Sequence, residues 1–371
     1  MKSKTHRTGR PKFKPYWKEQ KQQLLVPKQK KIADYPKQKQ TYTQNWFAYD
    51  LSQTKEATLL HELAYSLCYQ SLKEEPSKVG RPRLEIRERI FCMLLRVYFG
   101  KSSRRLIGFL QYAVMKGYLQ KVPSYPSICR FFRDKEINAE LLELLIETSK
   151  PLKEFETVFA VDASGFGTSL YAHYFNHEYR KHKTRKGFLK LNVMIGVKTH
   201  IVTAAIVSKG KSHEIKDFPN LVDTTAKNFK IDEVSADSGY VAYYNYEAVV
   251  KHGGTPFILF KANNTLHPQD HYTKSEVWLK MLRLFHDNNY FFMQKYHKRS
   301  NIETVFSMIK KKLNPNLKSK DELAQKNELL CNLICHNLII LIHEMFESGL
   351  EIPWLDSLCQ NSNDCIRNIE L

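Results

Sequence analysis

Paired cysteines are absent from this sequence of 371 residues, which argues against a disulfide-bonded scaffold and a cysteine-based zinc site. The seven cysteines are scattered without a Cys-x-x-Cys pair. This pattern indicates free thiols in a reducing compartment. Cys331, Cys335 and His336 are close in sequence, but they lie within the apolar run 329–342 and lack a second pair of ligands. We therefore predict a core helix there.

Nucleotide-binding and membrane-spanning motifs are also absent. Without a glycine-rich loop of the Walker type, the sequence gives no support for ATP or GTP as a nucleotide cofactor. The apolar run 329–342 is short for a bilayer span, and it contains Asn332 and Asn337. The first residues are basic with no apolar region behind them, so no signal peptide is expected. We predict a cytoplasmic protein that does not bind a membrane.

Acidic residues are the minority among the charged residues of the chain. Lys and Arg number 58 against 38 Asp and Glu, which gives a net charge of +20. Such a balance predicts a polyanionic partner, with nucleic acid as the default. Residues 1–45 hold thirteen Lys and Arg against Glu19 and Asp34, a net +11, and aromatic residues that could stack on bases lie among them. A basic tail of about residues 1–50 either contacts nucleic acid or only keeps the chain soluble.

Helical periodicity dominates the region 51–150, which we predict to be an all-α DNA-binding region. Apolar residues recur at helical spacing in 56–72, 84–99, 102–116 and 136–150, and 127–133 forms a short helix. The helices 102–116 and 127–133 are predicted to have a tight connection, as in a helix-turn-helix. The second of them carries Arg130 and Arg133 as predicted DNA contacts. A plain helical bundle with a charged surface is the alternative.

The pattern changes to β-structure at Thr157. Predicted strands end at Asp162 and Asp237, a hairpin lies between them, and helices separate the later strands. The region 262–295 has less regular patterning. The order of strands and helices is that of an RNase H-like α/β domain, a mixed sheet flanked by helices, which we assign to residues 155–348. Residues 349–371 are predicted to form a C-terminal tail.

Asp162 and Asp237 each end a predicted strand and enter a Gly-containing turn. Neighbouring strand ends would bring these carboxylates together, and Glu303 on a packed helix could face them. Three carboxylates in one cleft repel each other unless a cation binds, and their hard oxygens favour Mg²⁺, with Mn²⁺ as a substitute. Two such ions about 3.5–4 Å apart would catalyse phosphodiester chemistry. The alternative for each aspartate is ordinary turn chemistry.

Glu303 belongs to an unusual spacing of Tyr296, Arg299, Glu303 and Lys310. If the helix begins before Ser300, Arg299, Glu303 and Lys310 lie on one face. Arg299 and Lys310 would then contact phosphate, and Tyr296 would donate to the DNA backbone. If Ser300 is instead the N-cap of a capping box with Glu303, Tyr296 and Arg299 precede the helix. For the cations, a solvated basic face is the alternative.

A basic loop beside the first strand is the last candidate DNA contact. Arg180, Lys183 and Arg185 lie in it, and we predict that they bind DNA phosphates. A solvated loop without a partner is the alternative.

The segments 161–166, 236–240, 253–258 and 296–310 together resemble the DDE transposases of bacterial and archaeal insertion sequences. The resemblance covers about residues 80–349, and the Tyr-Arg-Glu-Lys spacing matches that group. It implies an RNase H-like catalytic domain, with Asp162, Asp237 and Glu303 as catalytic metal ligands, and cut-and-paste movement of a DNA element.

From this resemblance we expect a transposase that binds terminal inverted repeats, cleaves them with Mg²⁺ and joins them to target DNA. Its partner would be double-stranded DNA in the nucleoid. A homodimer is expected because two ends must be joined in one event. Two alternatives remain: a catalytically silent repressor or architectural protein derived from a transposase, and a structure-specific nuclease.

Overall fold

The structure, a computed structural model, describes residues 45–74, 83–168, 188–210, 214–261, 264 and 275–355. The basic segment before residue 45 and the predicted DNA contacts Arg180, Lys183 and Arg185 lie outside these described residues.

The described chain opens with a helical region, as the periodicity predicts. Its helices are α1 (Trp46–Ser71), α2 (Ile86–Tyr98), α3 (Ser103–Met115), α4 (Tyr125–Phe131) and α5 (Glu136–Ser149). Helix α1 begins ten residues before the predicted start at Glu56, because the side chain of Asn45 caps it by accepting from the Ala48 N–H at 3.1 Å.

The connection between α3 and α4 differs from the predicted tight turn. It comprises residues 116–124, longer than the turn of about 3–4 residues in a helix-turn-helix. The backbone N–H of Gln120 donates to the buried carboxylate of Glu88 at 2.9 Å, which holds this connection against α2. Helix α4 ends at Phe131, so Arg130 lies on the helix and Arg133 lies beyond it.

Five strands of the described residues form one mixed sheet in the order β3-β2-β1-β4-β5. They are β1 (Val158–Gly167), β2 (Phe188–Gly196), β3 (Val202–Lys209), β4 (Glu233–Ala236) and β5 (Thr255–Ile258). The pairs β1–β2 and β2–β3 are antiparallel, whereas β1–β4 and β4–β5 are parallel. The predicted mixed sheet with flanking helices and a helical N-terminal region is confirmed.

Strand β1 is longer than predicted. Asp162 does not end it, and residues 163–165 are strand rather than turn, because residues 159–167 all pair with β2. The predicted turn after Asp162 was therefore wrong. Asp237 does follow directly on the end of β4, as predicted.

The remaining helices of the described chain cover the sheet and close the fold. They are α6 (Phe218–Ala226), α7 (Tyr243–Lys251), α8 (Glu276–Asp287), α9 (Asn289–Tyr296), α10 (Ser300–Lys312) and α11 (Glu322–Glu347). Helices α8 and α9 replace the less regular region predicted up to residue 295. Trp278, Leu282 and Phe285 bury one face of α8, and Asn288 caps α9 by accepting from the Phe291 N–H.

Hydrophobic cores lie on both faces of the sheet. In the first core, helices α1–α5, α10 and α11 pack against one face of the sheet. In the second core, helices α6–α9 pack against the opposite face. After α11, the chain returns to the first core, where Ile352, Trp354 and Leu355 are buried.

Helix α11 is the central buried helix of the first core. It is long and apolar enough to meet the length and composition criteria for a membrane span, but 78% of its most apolar window is buried inside the protein. Cys331, Cys335 and His336 are buried in it, and the His336 ring lies 3.0 Å from the carbonyl oxygen of His200. The predicted core helix is confirmed.

Candidate active site

Asp162 and Asp237 lie side by side where the pairing between the parallel strands β1 and β4 ends. The last pair between β1 and β4 joins Val161 to Ala236, and each aspartate is the next residue. Side chains alternate along a strand, so both aspartates project to the face that carries α10. Oδ1 of Asp162 accepts from the Ala163 N–H at 2.8 Å, and Oδ1 of Asp237 accepts from the Ser238 N–H at 2.6 Å.

Arg299 connects Asp162 to Glu303. Its guanidinium donates to Oδ2 of Asp162 through one nitrogen and to Oε1 of Glu303, at 2.9 Å, through another. The two carboxylates are therefore separated by a single guanidinium group. The Glu303 side chain is 65% exposed, whereas those of Arg299 and Asp162 are about 20% exposed.

The start of α10 decides between the two alternatives for this helix. A short 3-10 helix, His297–Arg299, joins α9 to α10, and no side chain caps the first turn of α10. The Ser300 hydroxyl donates to the carbonyl of His297 at 2.9 Å. The capping box is therefore wrong. Because the helical backbone starts before Ser300, Arg299 and Glu303 pair at i and i+4.

Tyr296 and Lys310 lie at the two ends of this cluster. Burial raises the pKa of Tyr296; Arg299 opposes the shift, and the charge of Asp237 adds to it. Nζ of Lys310 donates to the Ser164 hydroxyl at 2.6 Å, two residues beyond Asp162 on β1, and burial lowers its pKa.

The pKa of Asp162 depends mainly on its burial, and charged groups around it change it further. Burial raises the pKa of the Asp162 carboxyl; the Ala163 N–H and Arg299 oppose this, and the charges of Asp237 and Glu214 add to it. Carboxylate oxygens held close together against their mutual repulsion are a donor set that fits a hard divalent cation. The residues present therefore fit the metal that the sequence predicts.

Glu214 is a residue of this site that the sequence analysis missed. It begins the short 3-10 helix Glu214–Lys216, pairs with Lys190 of β2 and affects the pKa of Asp162. Strand β3 is antiparallel to β2, which is antiparallel to β1, so β3 runs parallel to β1. A polar residue soon after β3 therefore arrives at the edge that holds Asp162 and Asp237. The predicted hairpin contained this signal.

The DNA contacts predicted in the N-terminal helical region are not part of the acidic cluster. Arg130 and Arg133 are exposed, on α4 and just after it. The described residues thus assemble six of the predicted site residues in one cluster, namely Asp162, Asp237, Tyr296, Arg299, Glu303 and Lys310.

The chain is an α/β protein with a mixed sheet, and its acidic site lies where the pairing between the parallel strands β1 and β4 ends. Comparison with known families is more specific, because the Transposase DDE domain family matches residues 153–338, which contain all six clustered residues. The chain belongs to this family of DDE transposase domains.

Comparisons with solved structures and with curated proteins do not narrow this family assignment further. Among solved structures, the chain is similar to a piggyBac transposase synaptic complex with hairpin DNA, with 13% identity, 88% of this chain and 82% of that chain covered, and a TM-score of 0.40. This likeness is too distant to carry an argument. A comparison with curated proteins finds no significant match.

Proposed function

We propose that the protein is the transposase of a prokaryotic insertion sequence, which cleaves the terminal inverted repeats of its element and transfers them to target DNA. The observation that carries this proposal is the register of β1 and β4. It sets Asp162 beside Asp237, with Glu303 joined to Asp162 through Arg299, inside the matched DDE domain. The strand order, with three antiparallel strands followed by two parallel ones, supports an RNase H-like catalytic domain.

Asp162, Asp237 and Glu303 would hold the metal, for which Mg²⁺ is the proposed ion and Mn²⁺ a substitute. When bound, two such ions supply activation of the attacking oxygen and charge stabilisation at the leaving oxygen. Arg299 orients Asp162 and Glu303 through its two hydrogen bonds. Arg299, Lys310 and the Tyr296 hydroxyl line the same cluster and contact the phosphates of the DNA.

The partner in this proposal is double-stranded DNA, bound by a homodimer in the cytoplasmic nucleoid. The net charge of +20 supports a polyanionic partner. Arg130 and Arg133, together with Arg180, Lys183 and Arg185, are the proposed contacts outside the acidic cluster. A dimer would hold both ends of the element.

The proposal is tested by incubating the full chain with Mg²⁺ and a duplex that carries the inverted repeats flanking its own reading frame. We expect nicks at the repeat ends and none on a duplex with scrambled ends. Binding without cutting would contradict the proposal and favour the repressor or architectural alternative. Cutting that ignores the repeats would favour the structure-specific nuclease.

We predict that Mg²⁺ stabilises the folded protein through these carboxylates. Binding to the folded state alone adds about 2.7 kcal/mol to the free energy of unfolding when free Mg²⁺ is about one hundred times Kd. Thermal unfolding with and without Mg²⁺ measures the effect as a rise in Tm.

The variant with Asp162→Asn and Asp237→Asn should lose that rise. Glu233→Gln is the matched control, because Glu233 lies on β4 but is already paired with Lys295 and Lys298. If the unmodified protein, the double variant and the Glu233→Gln control all show the same rise in Tm, Mg²⁺ does not bind through Asp162 and Asp237.

We also predict that the basic N-terminal segment contributes to DNA affinity through counterion release. Removing residues 1–45 takes away a net +11. The plot of log K against log salt should therefore become flatter, by about 0.9 for each phosphate that the truncated chain no longer neutralises. Fluorescence anisotropy on a labelled duplex over a salt series measures the slope. An unchanged slope would assign this segment to solubility alone.

A further inference from the structure

A cleft of about 750 Å³, lined by both charged and apolar side chains, lies in the N-terminal helical region, away from the acidic site. Its walls are the start of α2, the connection between α3 and α4, and α4 itself. We call it the α2–α4 cleft. The side chains used below are Arg83, Arg89, Lys121, Ser124, Ser127 and Arg130.

The cleft carries an excess of positive charge from three chain segments. The buried Arg89 pairs with Asp134 at 2.7 Å, so the one carboxylate among the described residues that line the cleft is already neutralised. Arg83, Lys121 and Arg130 are exposed around it. Among the described residues, none of these three has a carboxylate within ion-pair distance.

Two further acids, Glu85 just before α2 and Glu88 on α2, are not among the residues that line the cleft. Glu88 does not cancel the charge of the cleft. Its carboxylate is buried behind the connection, where it accepts from the Gln120 N–H. Burial raises the pKa of Glu88, and Lys121 opposes the shift from the cleft side. The exposed surface of the cleft therefore remains cationic.

Hydroxyl donors complete the lining. Ser124, the residue before α4, and Ser127 and Arg130 on α4 follow one another at intervals of three. The two hydroxyls are 3.0 Å apart, and Arg130 donates to the Ser127 hydroxyl at 3.1 Å. This bond orients the guanidinium and leaves its other N–H groups available. A fork of donors beside hydroxyls matches the oxygens of a phosphate group.

We propose that the α2–α4 cleft binds the phosphodiester backbone of duplex DNA, through Arg83, Lys121 and Arg130. The inference rests on the proposed function for the identity of the polyanion. Cations and hydroxyls of this kind position a protein on the duplex but carry no direct sequence information. Within this proposal Arg130 contacts phosphate, and Arg133, which does not line the cleft, contacts DNA outside it.

The test compares two full-length triple variants on a fluorescein-labelled mixed-sequence duplex, in EDTA so that no cutting occurs. The cleft variant is Arg83→Ala, Lys121→Ala and Arg130→Ala. The control variant is Lys227→Ala, Lys280→Ala and Lys320→Ala. These control residues are also exposed, and their replacement removes the same net charge.

We expect the cleft variant to flatten the plot of log K against log salt by about 2.7, at about 0.9 for each phosphate that it no longer neutralises, and the control to change it by less than about 1. A cleft variant with Arg83→Lys, Lys121→Arg and Arg130→Lys should keep the original slope. All variants change exposed side chains, and their thermal midpoints confirm that they fold.

Equal slopes for the cleft and control variants would overturn the proposal, as would a decrease in slope confined to an RNA duplex of the same sequence. Because no strand is cut, this result is independent of the cleavage assay. If the protein fails to nick its repeats but the cleft variant has the flatter slope, DNA binding by the cleft is supported and only the proposed catalytic function is contradicted.

Discussion

Replacing Asp162 with asparagine is expected to lower the rate of strand cleavage by on the order of 10³-fold or more, while DNA binding persists. Asp162 accepts a hydrogen bond from the guanidinium of Arg299, and it follows the last paired position of β1 and β4, beside Asp237. Asparagine keeps the shape of the side chain and removes the charge that a divalent cation needs. The measurement is a time course of nicking at the repeat ends, with anisotropy on the same duplex for binding.

The control for this prediction is Asp223→Asn. Asp223 lies on α6 and pairs with Lys251 and His252 at the surface. Its variant should cleave at close to the original rate. Asp237→Asn should resemble Asp162→Asn, and the double variant should cleave little more slowly than either, because residues that act as one unit are not additive. Full cleavage by either single variant would remove that aspartate from the proposed site.

The sheet and the acidic cluster were predictable because local patterns encode them. Alternating apolar residues mark the strands, and Asp237 follows β4 directly. The spacing of Arg299 and Glu303 places them on one helical face once the helix begins early enough. The 3-10 helix before Ser300 and the contact between the Ser300 hydroxyl and the His297 carbonyl show that it does.

Features that depend on distant pairing were not predictable. Strand β1 continues past Asp162 because β2, more than twenty residues later, supplies partners up to Gly167. The predicted hairpin fixes the direction of β3 relative to β2, but placing Glu214 at the acidic site also needs the pairing of β2 with β1, which local periodicity does not show. In the same way, nothing local to Arg83, Lys121 and Arg130 indicates that packing of α2 against α4 gathers them in one cleft.

The roles of buried polar residues in α11 were also not predictable from the sequence. The sequence analysis used Asn332 and Asn337 only as an argument against a membrane span. In the structure, both are buried on the same helix, yet their environments differ. The side-chain amide of Asn337 makes two hydrogen bonds to the backbone of Val202 at the start of β3. It accepts from the Val202 N–H at 2.9 Å and donates to the Val202 carbonyl at 2.8 Å. It also donates to the Thr148 hydroxyl at 3.0 Å.

Asn337→Leu is therefore expected to lower the free energy of unfolding by about 2–4 kcal/mol, because it leaves buried polar groups of Val202 and Thr148 without their partner. Asn332→Leu is the matched control. The amide nitrogen of Asn332 is buried without a hydrogen-bond partner among the described residues, so its replacement should be neutral or stabilising. Urea unfolding followed by circular dichroism measures both changes. Equal decreases for the two variants would mean that the size of the leucine side chain, and not the link between α11 and β3, sets the cost.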